Sequence, residues 1–257
     1  MADSRKLIFI SNDDGYTARG INYLAEWLRP LGDIIVVAPE SGRSGAACSI
    51  TASVSVTVRR IKEEPGLSVY ACSGTPVDCV KLAFDHILPR RPDIVVSGIN
   101  HGDNASINVH YSGTLGVAAE GAMQRVRSVA FSFCNSDPQA DMLHLKPYVT
   151  DIVAKALLHD MPELTLLNVN FPNVTRFSGV KICTMCHSRW LHDFSKVHIE
   201  GRGDYYFLTG NWTNTDPDNT HTDSYALEHG YVAVTPTTLD VSSRELMEEV
   251  IHWNIRQ

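Results

Sequence analysis

The sequence predicts an α/β fold, a mostly parallel sheet flanked by helices in three layers, and three observations predict it. Short apolar runs end abruptly in polar, glycine-bearing clusters, as in Leu7-Ile8-Phe9-Ile10 before Ser11-Asn12-Asp13-Asp14-Gly15. Segments with apolar residues at helical spacing lie between these runs. The chain has 257 residues, 44% hydrophobic and 20% charged, which is enough to bury the core that such a sheet needs.

The first run reads as a buried strand. Neighbouring side chains on a strand point to opposite faces, so Asp13 and Asp14 converge on one point only if the chain turns beneath them, and Gly15 permits that turn. In a parallel α/β sheet the ligand crevice lies just outside the carboxyl ends of the strands, where this pair falls. Paired carboxylates repel unless a cation neutralises them, and oxygen-only donors suit Mg²⁺, Mn²⁺ or Ca²⁺ rather than zinc. Asp-Asp-Gly also makes an ordinary turn, with Asp a good helix cap, and on these residues alone both readings stand.

Ile21, Leu24, Ala25 and Leu28 make a helix closed by Pro30 and Gly32. Ile34 to Ala38 is a second buried strand, delivering Glu40-Ser41-Gly42-Arg43-Ser44-Gly45 to the same sheet edge. There Ser44 can ligate a metal or touch phosphate, and Arg43 can pair with an anion; both can equally be plain solvated loop residues. Ile50 to Val58 alternates Ser or Thr with Val, the pattern of a half-exposed strand, and Lys62-Glu63-Glu64-Pro65-Gly66 reads as a turn.

Leu67 to Ala71 is a strand followed by a clear helix start: Thr75 as cap, Pro76 at the first position and Asp78 in the first turn, with the helix running from Cys79 to Leu88. Asp93 to Asn100 is a further strand that ends in His101-Gly102-Asp103-Asn104. The Asn100 carboxamide oxygen can ligate a hard cation, and Asn104 can donate to a phosphoryl oxygen. Tyr111-Ser112-Gly113-Thr114 then opens a small-residue helix, Leu115 to Met123, whose hydroxyls and free N–H groups suit a phosphate.

Lys146 to His159 is an amphipathic helix and Leu164 to Phe171 a buried strand. From Val180 to Asn211 aromatic and β-branched residues predict extended β structure, and Ser243 to Ile255 a capped last helix. The domains expected are an α/β core over residues 1–175, a β-rich arm over 176–240 and a C-terminal helix over 241–257.

A formal charge of −7, with no basic run beyond Arg59-Arg60 or Arg90-Arg91, argues against a polynucleotide partner. Residues Met1 to Lys6 are polar, and the apolar run after them is too short for a signal core or a membrane span, so a soluble cytoplasmic protein without a membrane partner is expected. Six cysteines scattered through apolar segments suit reduced thiols. Cys183-Thr184-Met185-Cys186-His187 spells a haem-attachment pattern, but that chemistry needs export, and no second pair is spaced for zinc. No P-loop, dinucleotide fingerprint or Gly-x-Ser-x-Gly elbow occurs.

Five blocks in order, Ser11-Asn12-Asp13-Asp14-Gly15, Ala38-Pro39 through Arg43-Ser44, Ser73 to Val80, Ser97-Gly98-Ile99-Asn100-His101-Gly102-Asp103-Asn104, and Tyr111 to Thr114 with Glu120-Gly121, resemble the SurE family of divalent-metal-dependent nucleotidases. The likeness reappears in Asn168 to Pro172, Thr222-Asp223 and Gly230 to Pro236. It implies a Rossmann-like core and one Mg²⁺ or Mn²⁺ per subunit held by Asp13, Asp14, Ser44 and Asn100. It places Asn104, Ser112 and Thr114, with Gly113 between them, on the phosphate side, where Arg43 is a further anion-binding candidate. The expected reaction is hydrolysis of nucleoside 5′- and 3′-monophosphates, extending to short polyphosphate, in a homodimer or homotetramer that exchanges the arm and the C-terminal segment. Lys181 to Leu208 fits the family pattern only loosely, so substrate preference does not carry over. A non-catalytic, metal-dependent nucleotide sensor on the same fold is the alternative, since fold alone does not establish turnover; no feature favours a sugar-transferring enzyme.

Overall fold

The computed structural model describes residues 5–253 and 255. Strand β1 (Lys6–Ser11) is buried from Leu7 onward and sits mid-sheet between β2 (Gly32–Pro39) and β5 (Ile94–His101), parallel to both. Period-two alternation sorts its side chains into two layers. Ile8 and Ile10 join a core with Leu24 and Leu28 of helix α1 (Arg19–Leu28) and with Val149 and Val153 of α4 (Lys146–Leu158). Phe9, between them, joins Cys79 and Val80 of α2 (Pro76–Leu82) and Val117 of α3 (Gly113–Met123) on the other side. The result is the three-layer α/β architecture that the sequence predicts.

The sheet has nine strands. Its parallel centre runs β4 (Leu67–Cys72), β2, β1, β5, β6 (Ser128–Phe133) and β7 (Thr165–Phe171). The chain steps outward from β1 through β2 to β4, then crosses back to place β5 on the other flank of β1. The order therefore reverses between β1 and β5, and the carboxyl ends of those two strands define the crevice in which such sheets bind ligands.

Three expectations are corrected. Ile50 to Thr57 is not a strand; the edge strand is β3 (Val58–Glu64), antiparallel to β4, so Lys62, Glu63 and Glu64 are strand residues and the turn is confined to Pro65-Gly66. An edge strand exposed to water has no buried face to impose alternation, and here the ion pairs Arg60–Glu63 and Lys62–Glu64 decorate it instead. The helix capped by Thr75 opens at Pro76 as expected, but its α-helical part ends at Leu82 and the rest is a wider π-type turn, Ala83–Ile87, that stops one residue before the expected Leu88. The last helix, α6 (Arg244–Ile251), starts at its Ser243 cap as expected but stops short of Ile255; part of that final stretch lies outside the described residues.

The arm expected over 176–240 divides. Strands β8 (Gly179–Ile182) and β13 (Tyr231–Thr238) complete the main sheet beyond β7, with α5 (Asp223–Glu228) leading into β13. Only the middle leaves the sheet, as two small antiparallel ribbons: β9 (Ser188–Leu191) with β12 (Asn211–Asn214), and β10 (Phe194–Ile199) with β11 (Gly203–Leu208).

Candidate active site

Directly after β1 the chain turns as its sequence requires. Gly15 adopts φ +98°, a left-handed conformation that favours glycine, and its N–H and C=O close on the Asn12 carboxamide at 3.2 and 3.1 Å. The turn holds Asp13 inward, buried, and Asp14 half-buried at the rim. The Arg43 N–H donates to the Asp13 carbonyl at 2.7 Å, joining the loop after β2 to the loop after β1.

From the other flank, the register of β5 against β6 shifts between Ser97 and Asn100, a bulge of the kind that re-aims a side chain. The Asn100 amide group donates to the carbonyls of Gly102 (2.9 Å) and His101 (3.3 Å), which leaves Oδ1 as the free end. Thr114, fully buried in the first turn of α3, links the two flanks: its hydroxyl donates to Asp13 Oδ1 at 2.5 Å and lies 3.5 Å from Asn100 Oδ1. Gly113 makes this approach sterically feasible, because a Cβ there would lie 2.7 Å from the Asp13 Cβ.

Burial pushes the Asp13 carboxyl up to about 6; the Thr114 hydrogen bond opposes the rise and the Asp14 charge adds to it. A carboxylate forced out of water beside a second one is short of positive charge. The N-terminus of α3, whose first residues Gly113 and Thr114 lie against Asp13, supplies part of it.

Asp13, Ser44, Asn100, Asn104 and Ser112 line one cleft of about 770 Å³. Asp14 reaches it through His101, whose Nδ1 lies 3.4 Å from Asp14 Oδ2. Ser112 caps α3, its oxygen accepting the Leu115 N–H at 3.0 Å, so its own hydroxyl proton stays available. Asn104 is braced on every side: its N–H donates to Asn170, its carbonyl accepts from Asn168, and its Nδ2 donates to Ser132 at 2.8 Å. Arg43 does not join them; its guanidinium donates to the Ser73 carbonyl at 2.9 Å. Among the described residues no three His, Cys, Asp or Glu side chains gather as a metal site, and the donors beside the two aspartates are a hydroxyl and a carboxamide oxygen, a hard set.

The family model for survival protein SurE matches residues 8–192. The chain belongs to the SurE family. Two relatives, each named 5′-nucleotidase SurE, are similar along almost their whole length: one from Phocaeicola vulgatus is 46% identical over 99% of both chains, and one from Bacteroides fragilis is 45% identical over 99% of this chain and 100% of its own. The crystal structure of the SurE protein from Aquifex aeolicus superposes with a TM-score of 0.83 at 32% identity, covering 97% of this chain and 100% of that one.

In this SurE-family chain the cleft also holds residues that pattern reading did not assign to the site. His101 is one, its Nε2 buried without a partner among the described residues. The far wall is another, formed by Trp190, Asp193, Phe194, Leu208 and Thr209 of the arm. The aromatic richness of that segment was visible in the sequence, but nothing local says that it folds back over the strand ends.

Proposed function

We propose that this SurE-family chain is a divalent-cation-dependent phosphomonoesterase that hydrolyses nucleoside 5′- and 3′-monophosphates, and short polyphosphate, to release phosphate. The observation that carries the reading is the meeting of Asp13, Asn100 and Thr114 at one point, from three separate chain segments, at the mouth of a helix N-terminus. The all-oxygen donors, with a buried aspartate lacking a cationic partner, fit Mg²⁺ or Mn²⁺, and Asp13, Asp14, Ser44 and Asn100 would hold one ion. Such an ion, when bound, supplies positive charge against the phosphate and acidifies a water nucleophile.

The protein's own groups do the rest. Thr114 keeps Asp13 oriented, while Asn100 presents its oxygen because its amide group is committed to backbone carbonyls. The Ser112 hydroxyl, the Asn104 amide and the N-terminal end of the α3 dipole would stabilise the charge that develops on the phosphoryl oxygens. Water attacks phosphorus in line, the P–O ester bond breaks, and the nucleoside leaves as the alcohol.

The six free cysteines support a reducing, cytoplasmic compartment, and no helix among the described residues is long and apolar enough to cross a membrane. The exposed aromatic strands β10 and β11 support assembly into dimers or tetramers through the arm. The test is phosphate release from AMP in Mn²⁺, abolished by EDTA and by Asp13→Ala. AMP binding without release establishes the sensor instead.

A further inference from the structure

The two aspartates of the proposed cation site are fixed by different elements. Asp13 is buried and takes the Thr114 hydroxyl from α3. Asp14 sits at the rim with its side chain 20% exposed, and among the described residues a single protein group meets its carboxylate: His101 Nδ1, 3.4 Å from Oδ2. A carboxylate at a rim with no fixed partner samples several rotamers, and ordering it as a ligand binds costs free energy.

His101 is itself immobilised. It is the last residue of β5, where its backbone pairs with Phe133 of β6, and the Gly102 N–H that follows donates to the Phe133 carbonyl at 2.8 Å. Its own carbonyl accepts from the Asn100 amide group at 3.3 Å, and its side chain is only 10% exposed. Neighbours on one strand end thus serve the site in two ways. Asn100 brings Oδ1 to within 3.5 Å of the Thr114 hydroxyl, and His101 turns its ring towards Asp14.

The chemistry of the contact sets its direction. An ionised carboxylate only accepts, so Nδ1 carries the proton. The neutral Nδ1–H tautomer and the imidazolium both supply it, so the hold does not depend on the charge of the ring. Nε2 is buried and has no partner among the described residues. A histidine kept for packing satisfies its buried nitrogens; this ring leaves one unmet and is placed by what the other does.

We propose that His101 is a positioning residue for cation binding: its Nδ1–H holds the Asp14 carboxylate facing the cleft, so that affinity for the ion depends on a side chain outside the four oxygen donors. The inference rests on the cation-dependent reading and deepens it. Groups that orient a metal's ligands commonly contribute about 10- to 100-fold in affinity.

The experiment is a Mn²⁺ titration, followed by electron paramagnetic resonance, of the wild type, His101→Phe, His101→Ala and His101→Asn, with the melting temperature of each in EDTA. Phenylalanine keeps a ring without a donor, whereas asparagine offers an amide donor near the place of Nδ1. His101→Phe and His101→Ala weaken Mn²⁺ binding by about 10- to 100-fold, and His101→Asn retains most of the affinity, independently of the melting temperatures. Affinity unchanged in His101→Phe, or lost equally in all three variants, overturns the proposal. So does nitrogen hyperfine coupling in the Mn²⁺ signal, which makes His101 a ligand and not a positioning residue. Nitrogen NMR of the His101 imidazole in EDTA reads the contact without any ion: a protonated Nδ1 whose signal moves in Asp14→Ala supports it, and an unmoved signal overturns it. If the wild type binds no Mn²⁺, the cation reading fails on its own, and the NMR signal alone decides whether His101 holds Asp14.

Discussion

Asp13, the buried carboxylate of the proposed cation site, also makes that site sensitive to pH. With its pKa raised by burial from 3.8 to about 6, the folded protein keeps a proton that the unfolded chain gives up between those two values. In EDTA, stability should therefore fall as pH rises through this window and level off above it, by up to about 3 kcal/mol for the full shift. Asp223, also raised by burial, adds a slope of the same sign. Asp78 and Asp93, both lowered, act oppositely at more acid pH. The readout is thus the difference between wild type and Asp13→Asn in urea midpoints from about pH 4 to about pH 7; equal slopes would contradict the assignment. Cation affinity should rise over the same window, since the ion needs the ionised carboxylate.

Thr114→Val should cost about 1–3 kcal/mol, because a buried carboxylate loses its donor, and should weaken Mn²⁺ binding, with thermal denaturation and titration as the checks. The two aspartates were legible in the sequence because an apolar run stopped on them. The part played by Thr114 was not: spacing put its hydroxyl at a helix N-terminus beside a phosphate, and only the fold turns it onto Asp13.

Elements were legible where apolar residues run together or a cap marks a start, and burial alone was not enough: β6, Ser-Val-Ala-Phe-Ser-Phe, is buried throughout but broken by serines, and it was not read from the sequence. Strands β1, β2, β5 and β7 each carry a cluster of apolar residues and stood out, and the start of α2 announced itself by capping chemistry. Thr75 accepts the Asp78 N–H while Asp78 accepts the Thr75 N–H, and Asp78 also holds Thr51. Thr75→Ala should cost about 1–2 kcal/mol, read by chemical denaturation. Strand β3 escaped notice because Val-Arg-Arg-Ile-Lys-Glu-Glu carries neither alternation nor an apolar run. The split of the arm region, with β8 and β13 in the sheet and only β9 to β12 outside it, depends on pairings between segments far apart in sequence, which local pattern does not record.

At the scale of the molecule, the reversal of strand order between β1 and β5 assembles the site. It brings the loops after β1, β2 and β5 to one rim and sets the N-terminus of α3 beneath them. A cation bound at the proposed site would tie these segments together in the native state alone. Saturating Mn²⁺, at a hundred times its dissociation constant, should add about 2.7 kcal/mol and raise the melting temperature by roughly 5–10 °C, a shift that Asp13→Asn abolishes. The most direct measurement is a Mn²⁺ titration followed by electron paramagnetic resonance on the wild type, Asp13→Asn and Asn100→Ala. One tightly held ion per chain in the wild type, lost or weakened at least tenfold in each variant, is the result predicted. Undiminished binding when either oxygen is removed would contradict it.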